Sequence, residues 1–324
     1  MSLLEMRDVV VDYKRAGQPP VRAVAGVDLD VPEGTVVGLV GETGCGKSTL
    51  ARAMVGLVPL ASGTVTFDGA EVAPIGRRSR SPELRRLQMV FQDPASSLNP
   101  RRKVGVQLQT AVDLSGSDRG DRGARVRELL DLVGLPAAAA ERFPHEFSGG
   151  QRQRISIARA LAARPRLIVA DEPIAALDAS AQAQIANLLV ELSRELSLSL
   201  VFISHDLSIV RQVADVTAVM YLGKVVESAP TRPLWEAPGH PYTRALTGAV
   251  PRVGRPGDLP AELPGDVPDP AQPPSGCRFH PRCPVAVERC RTEDPVAVTA
   301  PGRVSYCWLT DWSTTTERIP VERP

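Results

Sequence analysis

Gly41, Gly44 and Gly46, with Lys47, Ser48 and Thr49 directly behind them, make the run GETGCGKST. Three glycines in six residues let a chain turn so tightly that successive backbone N–H groups, those of Glu42, Thr43 and Cys45 among them, point at phosphate oxygens. Lys47 would bridge the β- and γ-phosphates of a nucleotide, Ser48 would ligate Mg²⁺ and Thr49 would reach the α-phosphate. The part expected of Cys45 is its backbone N–H and not its thiol.

Nucleotide chemistry at such a loop needs a second, acidic group, and RPRLIVADEP supplies one. Asp171 would hold Mg²⁺, mainly through water. Glu172 would be the general base that orients or deprotonates an attacking water. Taken alone, the two carboxylates read equally well as the N-cap of a helix before Pro173.

Both groups need elements to position them. Thr35 to Val40 and Leu167 to Ala170 are short continuous apolar runs, which predict strands buried on both faces. Up to about residue 230 such runs alternate with helical patterns, the signature of an α/β fold with a parallel sheet, whose ligands gather at the carboxyl ends of the strands. Beyond that point proline thickens. Residues 1–250 read as one nucleotide-binding domain, 251–275 as a proline-rich linker, and 276–324 as a Cys-rich extension too small to fold securely without a staple.

The balance of 38 basic against 37 acidic residues leaves a net charge of +1. That charge speaks against a partner recognised by electrostatics, nucleic acid above all. No apolar run approaches the roughly 20 residues of a spanning helix. With charges in MSLLEMRDVVVDY where a signal peptide would be apolar, the expected location is cytosolic.

In a reducing compartment clustered cysteines point to metal or chemistry. Cys277, Cys283, Cys290 and Cys307 are separated by five, six and sixteen residues. These gaps do not form the knuckles common in zinc sites, whereas a [4Fe–4S] cluster tolerates less regular spacing. Iron–sulfur cluster, zinc and free thiols all remain open, with His280 a surface or outer group. In the first two cases the role would be structural, a clip on the tail.

At FSGGQRQRISIARAL the sequence resembles the ATP-binding-cassette (ABC) ATPases: Ser148, Gly149, Gly150 and Gln151 match their signature, with Phe147 where Leu is usual. Other family elements follow in order. Tyr13 is similar to the aromatic that stacks on adenine, Gln92 to the Q-loop glutamine that reports on Mg²⁺ and water, Asp178 to the D-loop aspartate, and His205 to the switch histidine at the γ-phosphate. The resemblance implies a RecA-like parallel sheet core, an antiparallel β subdomain and a helical subdomain. It also implies a head-to-tail dimer in which Ser148 to Gln151 serve the ATP held by the partner's P-loop.

QMVFQDPASSLNPRRKVGVQL and GHPYTRALTGAVP resemble the oligopeptide, dipeptide and nickel importer branch, and GCRFHPRCPVAVERC resembles its C-terminal extension, which is associated with iron–sulfur clusters. What the resemblance implies is an ATPase on the cytoplasmic face of a bacterial plasma membrane. Its partners would be two transmembrane permease subunits, a second, nonidentical ATPase and an extracellular solute-binding protein. The competing class is a soluble ABC ATPase acting on nucleic acid; nickel or another small solute is the alternative cargo.

Overall fold

VVGLV, LIVAD and SLVFI are buried at every position, and each forms a strand. In the computed structural model, which describes residues 2–15, 17–76, 80–116, 121–175, 177–250 and 265–312, twelve strands make two sheets. They are β1 (Ser2–Arg15), β2 (Gln18–Pro32), β3 (Val36–Val40), β4 (Ser62–Phe67), β5 (Ala70–Glu71), β6 (Leu87–Val90), β7 (Leu167–Asp171), β8 (Ser199–Ile203), β9 (Val216–Tyr221), β10 (Lys224–Pro230), β11 (Val298–Ala300) and β12 (Arg303–Ser305).

The larger sheet runs β11-β12-β10-β9-β3-β8-β7-β6, with β9, β3, β8, β7 and β6 parallel. The smaller is an antiparallel sheet of order β2-β1-β4-β5. Successive side chains of a strand face opposite ways. Val36, Val40, Ile168, Ala170, Leu200 and Phe202 therefore enter one core, and Val37, Leu39, Leu167, Val169, Val201 and Ile203 enter the other. The first core is shared with a helical layer, in which Leu108 and Val112 of helix Val104–Ser115, Leu129 and Leu130 of Arg122–Leu132, and Ile155 and Ile157 of Gly149–Leu161 are buried. The second core is closed by the antiparallel sheet through Leu4, Met6 and Phe67.

Because β3, β8, β7 and β6 are parallel neighbours, their carboxyl ends lie along one edge of the sheet. Gly41, Ser204, Glu172 and Phe91 follow them directly, so residues from four distant stretches meet there.

The Cys-rich segment is built into this body. β12 pairs antiparallel with β10, Glu227 opposite Ser305 and Ser228 opposite Val304, and so extends the large sheet. Phe279 is fully buried in the first core, with Cys277 and Cys283 packed against it. Burial of one such ring is worth about 1.5–3 kcal/mol, and this anchoring supplies part of the stapling that the tail's own composition lacks. Of the proline-rich stretch, residues 251–264 lie outside the described residues, as do 313–324. Among the described residues no helix is long and apolar enough to cross a membrane.

Candidate active site

The loop 41–46 closes directly onto helix Lys47–Met54. Its glycines are dictated by what surrounds it: a Cβ at Gly41 would stand 2.1 Å from the Met220 carbonyl oxygen. One at Gly46, where φ is 106°, would stand 2.3 Å from that of Ala23. Lys47 is buried and folded back, its Nζ donating to the carbonyls of Gly41 at 2.8 Å and Glu42 at 3.0 Å. Cys45 turns its thiol inward, away from solvent, and burial raises its pKa against the pull of Lys47. Thr43, Gly44, Gly46, Lys47, Ser48 and Thr49 line a cleft of about 360 Å³, together with Arg22, Gln92 and Glu172. The phenol of Tyr13, late on β1, is 3.4 Å from Thr49 Oγ1 at the mouth of this loop.

Ser48 Oγ donates to Asp171 Oδ1 at 2.8 Å across 123 residues. Burial pushes the Asp171 carboxyl up, while the Ser48 hydroxyl and then Arg52 hold it down. A divalent cation between these two oxygens would favour the ionised form, so the pair fits Mg²⁺ chemically.

Glu172 comes directly after β7 with φ 45°, a strained conformation for a residue with a side chain. Its Oε2 accepts from Gln92 Nε2 at 3.0 Å and lies 3.8 Å from His205 Nδ1. Gln92, Glu172 and His205 thus form one polar cluster at the sheet edge. No helix begins at the carboxylate pair: residues 172–175 form turns, and the next helix, Ala179–Glu195, is capped by Asp178, which accepts from Ala181 N at 2.9 Å. This agrees with the expectation, set by the phosphate loop upstream, that the pair stands at a strand end and not at a helix cap. Ala176, next to this turn, is outside the described residues.

Ser148 caps helix Gly149–Leu161 in a capping box with Gln151, each side chain bonding the other's backbone N–H. A Cβ at Gly149 would stand 3.2 Å from Leu177, and one at Gly150 would stand 3.6 Å from Ala181 Cβ. The signature and the Asp178 turn are therefore one surface. None of Ser148, Gly149, Gly150 and Gln151 lines the cleft beside Lys47.

Residues without a local motif also reach the site. Glu42 N donates to the Tyr242 hydroxyl at 3.0 Å, and the carboxylate of Glu42 is held by Arg282. Arg278 donates to the Leu222 carbonyl, next to Gly223 on the rim of the cleft. Asp269 and Pro270 line the same cleft. GHPYTRALTGAVP and GCRFHPRCPVAVERC held these tyrosine and arginine positions in plain view, but nothing in the spacing shows where they dock.

Cys277, Cys283, Cys290 and Cys307 all line one small cavity, closed by Phe279, Trp308 and Leu309. Burial pushes the Cys277 thiol up to about 11, and it also raises those of Cys283 and Cys307. His280 lies at the same cavity with its Nδ1 3.0 Å from the Cys277 carbonyl oxygen. Among the described residues, no three His, Cys, Asp or Glu side chains are arranged to hold a metal ion.

Residues 24–175 match the ABC transporter family, and residues 226–290 match the C-terminal region of oligopeptide/dipeptide transporters. A peptide import ATP-binding protein of Brucella abortus is 47% identical over 315 residues, 95% of this chain and 94% of that protein. A peptide ABC transporter ATP-binding protein of Sinorhizobium fredii is 47% identical over 94% of this chain and 88% of its own length. The ATP-binding cassette MJ0796, solved as a dimer in a post-hydrolysis state with ADP and Pi, superposes with a TM-score of 0.62 at 28% identity, over 71% of this chain and 99% of that one. The cbiO1 protein of Clostridium perfringens, part of the transporter complex cbiONQ, also gives 0.62, at 26% identity over 73% of this chain and 91% of that one. With its nucleotide cleft, capped signature helix and full-length relatives in agreement, the chain belongs to the ABC transporter ATPase family.

Proposed function

We propose that this protein is the ATP-hydrolysing subunit of a membrane importer of oligopeptides or dipeptides, and that it works as one of a pair of cassettes. The observation that carries the pairing is the separation of two anion sites on one chain. The Lys47 cleft has the phosphate loop and the acidic groups, while the N-terminus of helix Gly149–Leu161 faces elsewhere with the N–H groups and positive end that suit a phosphate. A second cassette presenting its own Ser148 to Gln151 would complete each cleft.

In such a closed site Tyr13 would stack on adenine, and the loop N–H groups with Lys47 would hold the phosphates. Mg²⁺, when bound, neutralises phosphate charge, and Ser48, Asp171 and Gln92 are the residues to hold it. Water attacks the γ-phosphorus, the bond to the β-bridging oxygen breaks, and the water's proton passes to Glu172, leaving ADP and phosphate. His205 stands beside Glu172, where it would contact the γ-phosphate. Opening and closing of the pair would be the stroke that drives transport.

A groove of about 480 Å³ lies between the sheet edge at Gln88 and the helical layer, lined by Arg85, Asn99, Gln107 and Arg159. It lies beside the strand β6 that leads to Gln92 two residues beyond its end, and it suits a permease segment. Two permeases, a second ATPase related or identical to this one, and an extracellular solute-binding protein complete the assembly, with this chain peripheral on the cytoplasmic side. The four convergent thiols support a cluster ligated from several directions, [4Fe–4S] in preference to one zinc ion. All four thiols line one small cavity, and their spacing lacks the knuckles common in zinc sites.

Affinity purification of the chain from detergent-solubilised membranes tests the reading. Permease subunits and Mg-ATP hydrolysis should come together on the column. Recovery of nucleic acid in place of membrane subunits would overturn it.

A further inference from the structure

Every polar group of Glu42 is engaged. Its carbonyl accepts from Lys47 Nζ, its N–H donates to Tyr242, and its carboxylate takes both arms of one guanidinium, Arg282 Nη1 at 2.7 Å and Nη2 at 3.1 Å. Arg282 stands 240 residues away in the Cys-rich extension, its side chain only 5% exposed. A planar guanidinium and a carboxylate paired through two parallel bonds fix distance and angle together.

Arg282 is held in its turn. It ends the 3-10 helix His280–Arg282, between Cys277 and Cys283, and its guanidinium lies 5.8 Å from the ring centre of Tyr221. Tyr221, Tyr242 and Phe279 pack together with ring centres 4.7–5.3 Å apart. A second tie runs to the other end of the loop. Arg278 donates to Leu222 O, and Gly223 N donates to Cys45 O at 2.8 Å. The extension thus grips the phosphate loop at Glu42 and, through Leu222 and Gly223, at Cys45.

We infer that Arg282 is a positioning residue of the nucleotide site: acting through Glu42, it holds the loop carbonyls and Lys47 in register, so that nucleotide affinity depends on the docked extension. The inference rests on nucleotide binding at Lys47 and goes further by assigning the extension a part in it. Breaking a buried pair leaves a charge without its partner, so either half should be costly to lose.

The test measures Mg-ADP affinity of the full-length chain with a fluorescent ADP, beside the melting temperature, for Arg282→Gln, Arg282→Lys, Glu42→Gln and the Arg282→Gln/Glu42→Gln double variant. Each Gln variant should weaken binding on the order of tenfold. The double variant should be no weaker than either single one, and Arg282→Lys, which keeps charge but not the fork, should recover part of the loss. Should Arg282→Gln fail to fold, Glu42→Gln decides. Unchanged or tighter affinity with only the melting temperature lowered, or losses that add in the double variant, would overturn the inference. Failure of the unmodified chain to bind Mg-ADP would instead overturn the nucleotide reading beneath it.

Discussion

The side-chain amide of Gln92 donates to Glu172 Oε2 at 3.0 Å, joining the ends of two parallel strands that are 80 residues apart in sequence. Glu172 is aimed at this partner by a backbone φ of 45°, at a cost of order 1–3 kcal/mol that a merely surface carboxylate would have no reason to bear. Both residues line the cleft beside Lys47, so a general base at Glu172 would have Gln92 as its direct reporter.

Glu172→Gln should reduce phosphate release by about 10²–10⁴-fold, the range of a lost general base, while Mg-ATP binding survives. Single-turnover phosphate release and equilibrium binding, measured on the same preparation, separate the two steps. Undiminished turnover would remove Glu172 from the mechanism.

Ser148→Arg places a long cation at the start of the signature helix, away from the Lys47 cleft. Nucleotide affinity of the dilute single cassette should stay within about twofold, whereas turnover of the assembled pair should fall at least about 10²-fold. Equal loss in both assays would mean that Ser148 serves its own chain's nucleotide.

Metal content separates the three fates of the cysteines. Anaerobically purified protein should be brown and carry iron with inorganic sulfide. Cys290→Ser should lose both and melt roughly 5–10 °C lower. Stoichiometric zinc without colour would establish the single-ion site instead. Four thiols titrating freely in a metal-free protein would establish neither.

His240 introduces an acid sensitivity. Its Nδ1 accepts from Tyr242 N at 3.0 Å to cap the helix that carries Tyr242 to the phosphate loop, and burial lowers its pKa from 6.5 to about 3. The unfolded chain binds a proton below about pH 6.5 that the folded chain refuses, so stability falls as pH drops through the window from 6.5 toward 3. Between pH 7.5 and 5 the loss should be about 2 kcal/mol. Glu227, which accepts from His240 N, has its carboxyl pushed up by burial and works in the opposite sense. The comparison is therefore with His240→Asn, whose side chain can keep the cap: urea midpoints at pH 7.5 and 5 should diverge less in the variant, and equal divergence would refute the assignment.

The frame of the candidate site was legible in the sequence because its determinants are local. A glycine-rich turn between a buried strand and a helix, an acidic pair ending another buried strand, and SGGQ opening a helix each state their geometry within ten residues, and β3, β7 and the helix from Gly149 formed where those patterns placed them. The carboxylate pair alone admitted a helix cap; the phosphate loop upstream already spoke against it, and the turn after β7 agrees. What no stretch of sequence contained was the docking of the extension. Arg282 meets Glu42, and β12 meets β10, in a body where Tyr221, Tyr242 and Phe279 pack into one core. Contacts over such separations depend on the shape of the folded body, so tertiary structure alone decided that the cysteine-rich tail leans on the phosphate loop.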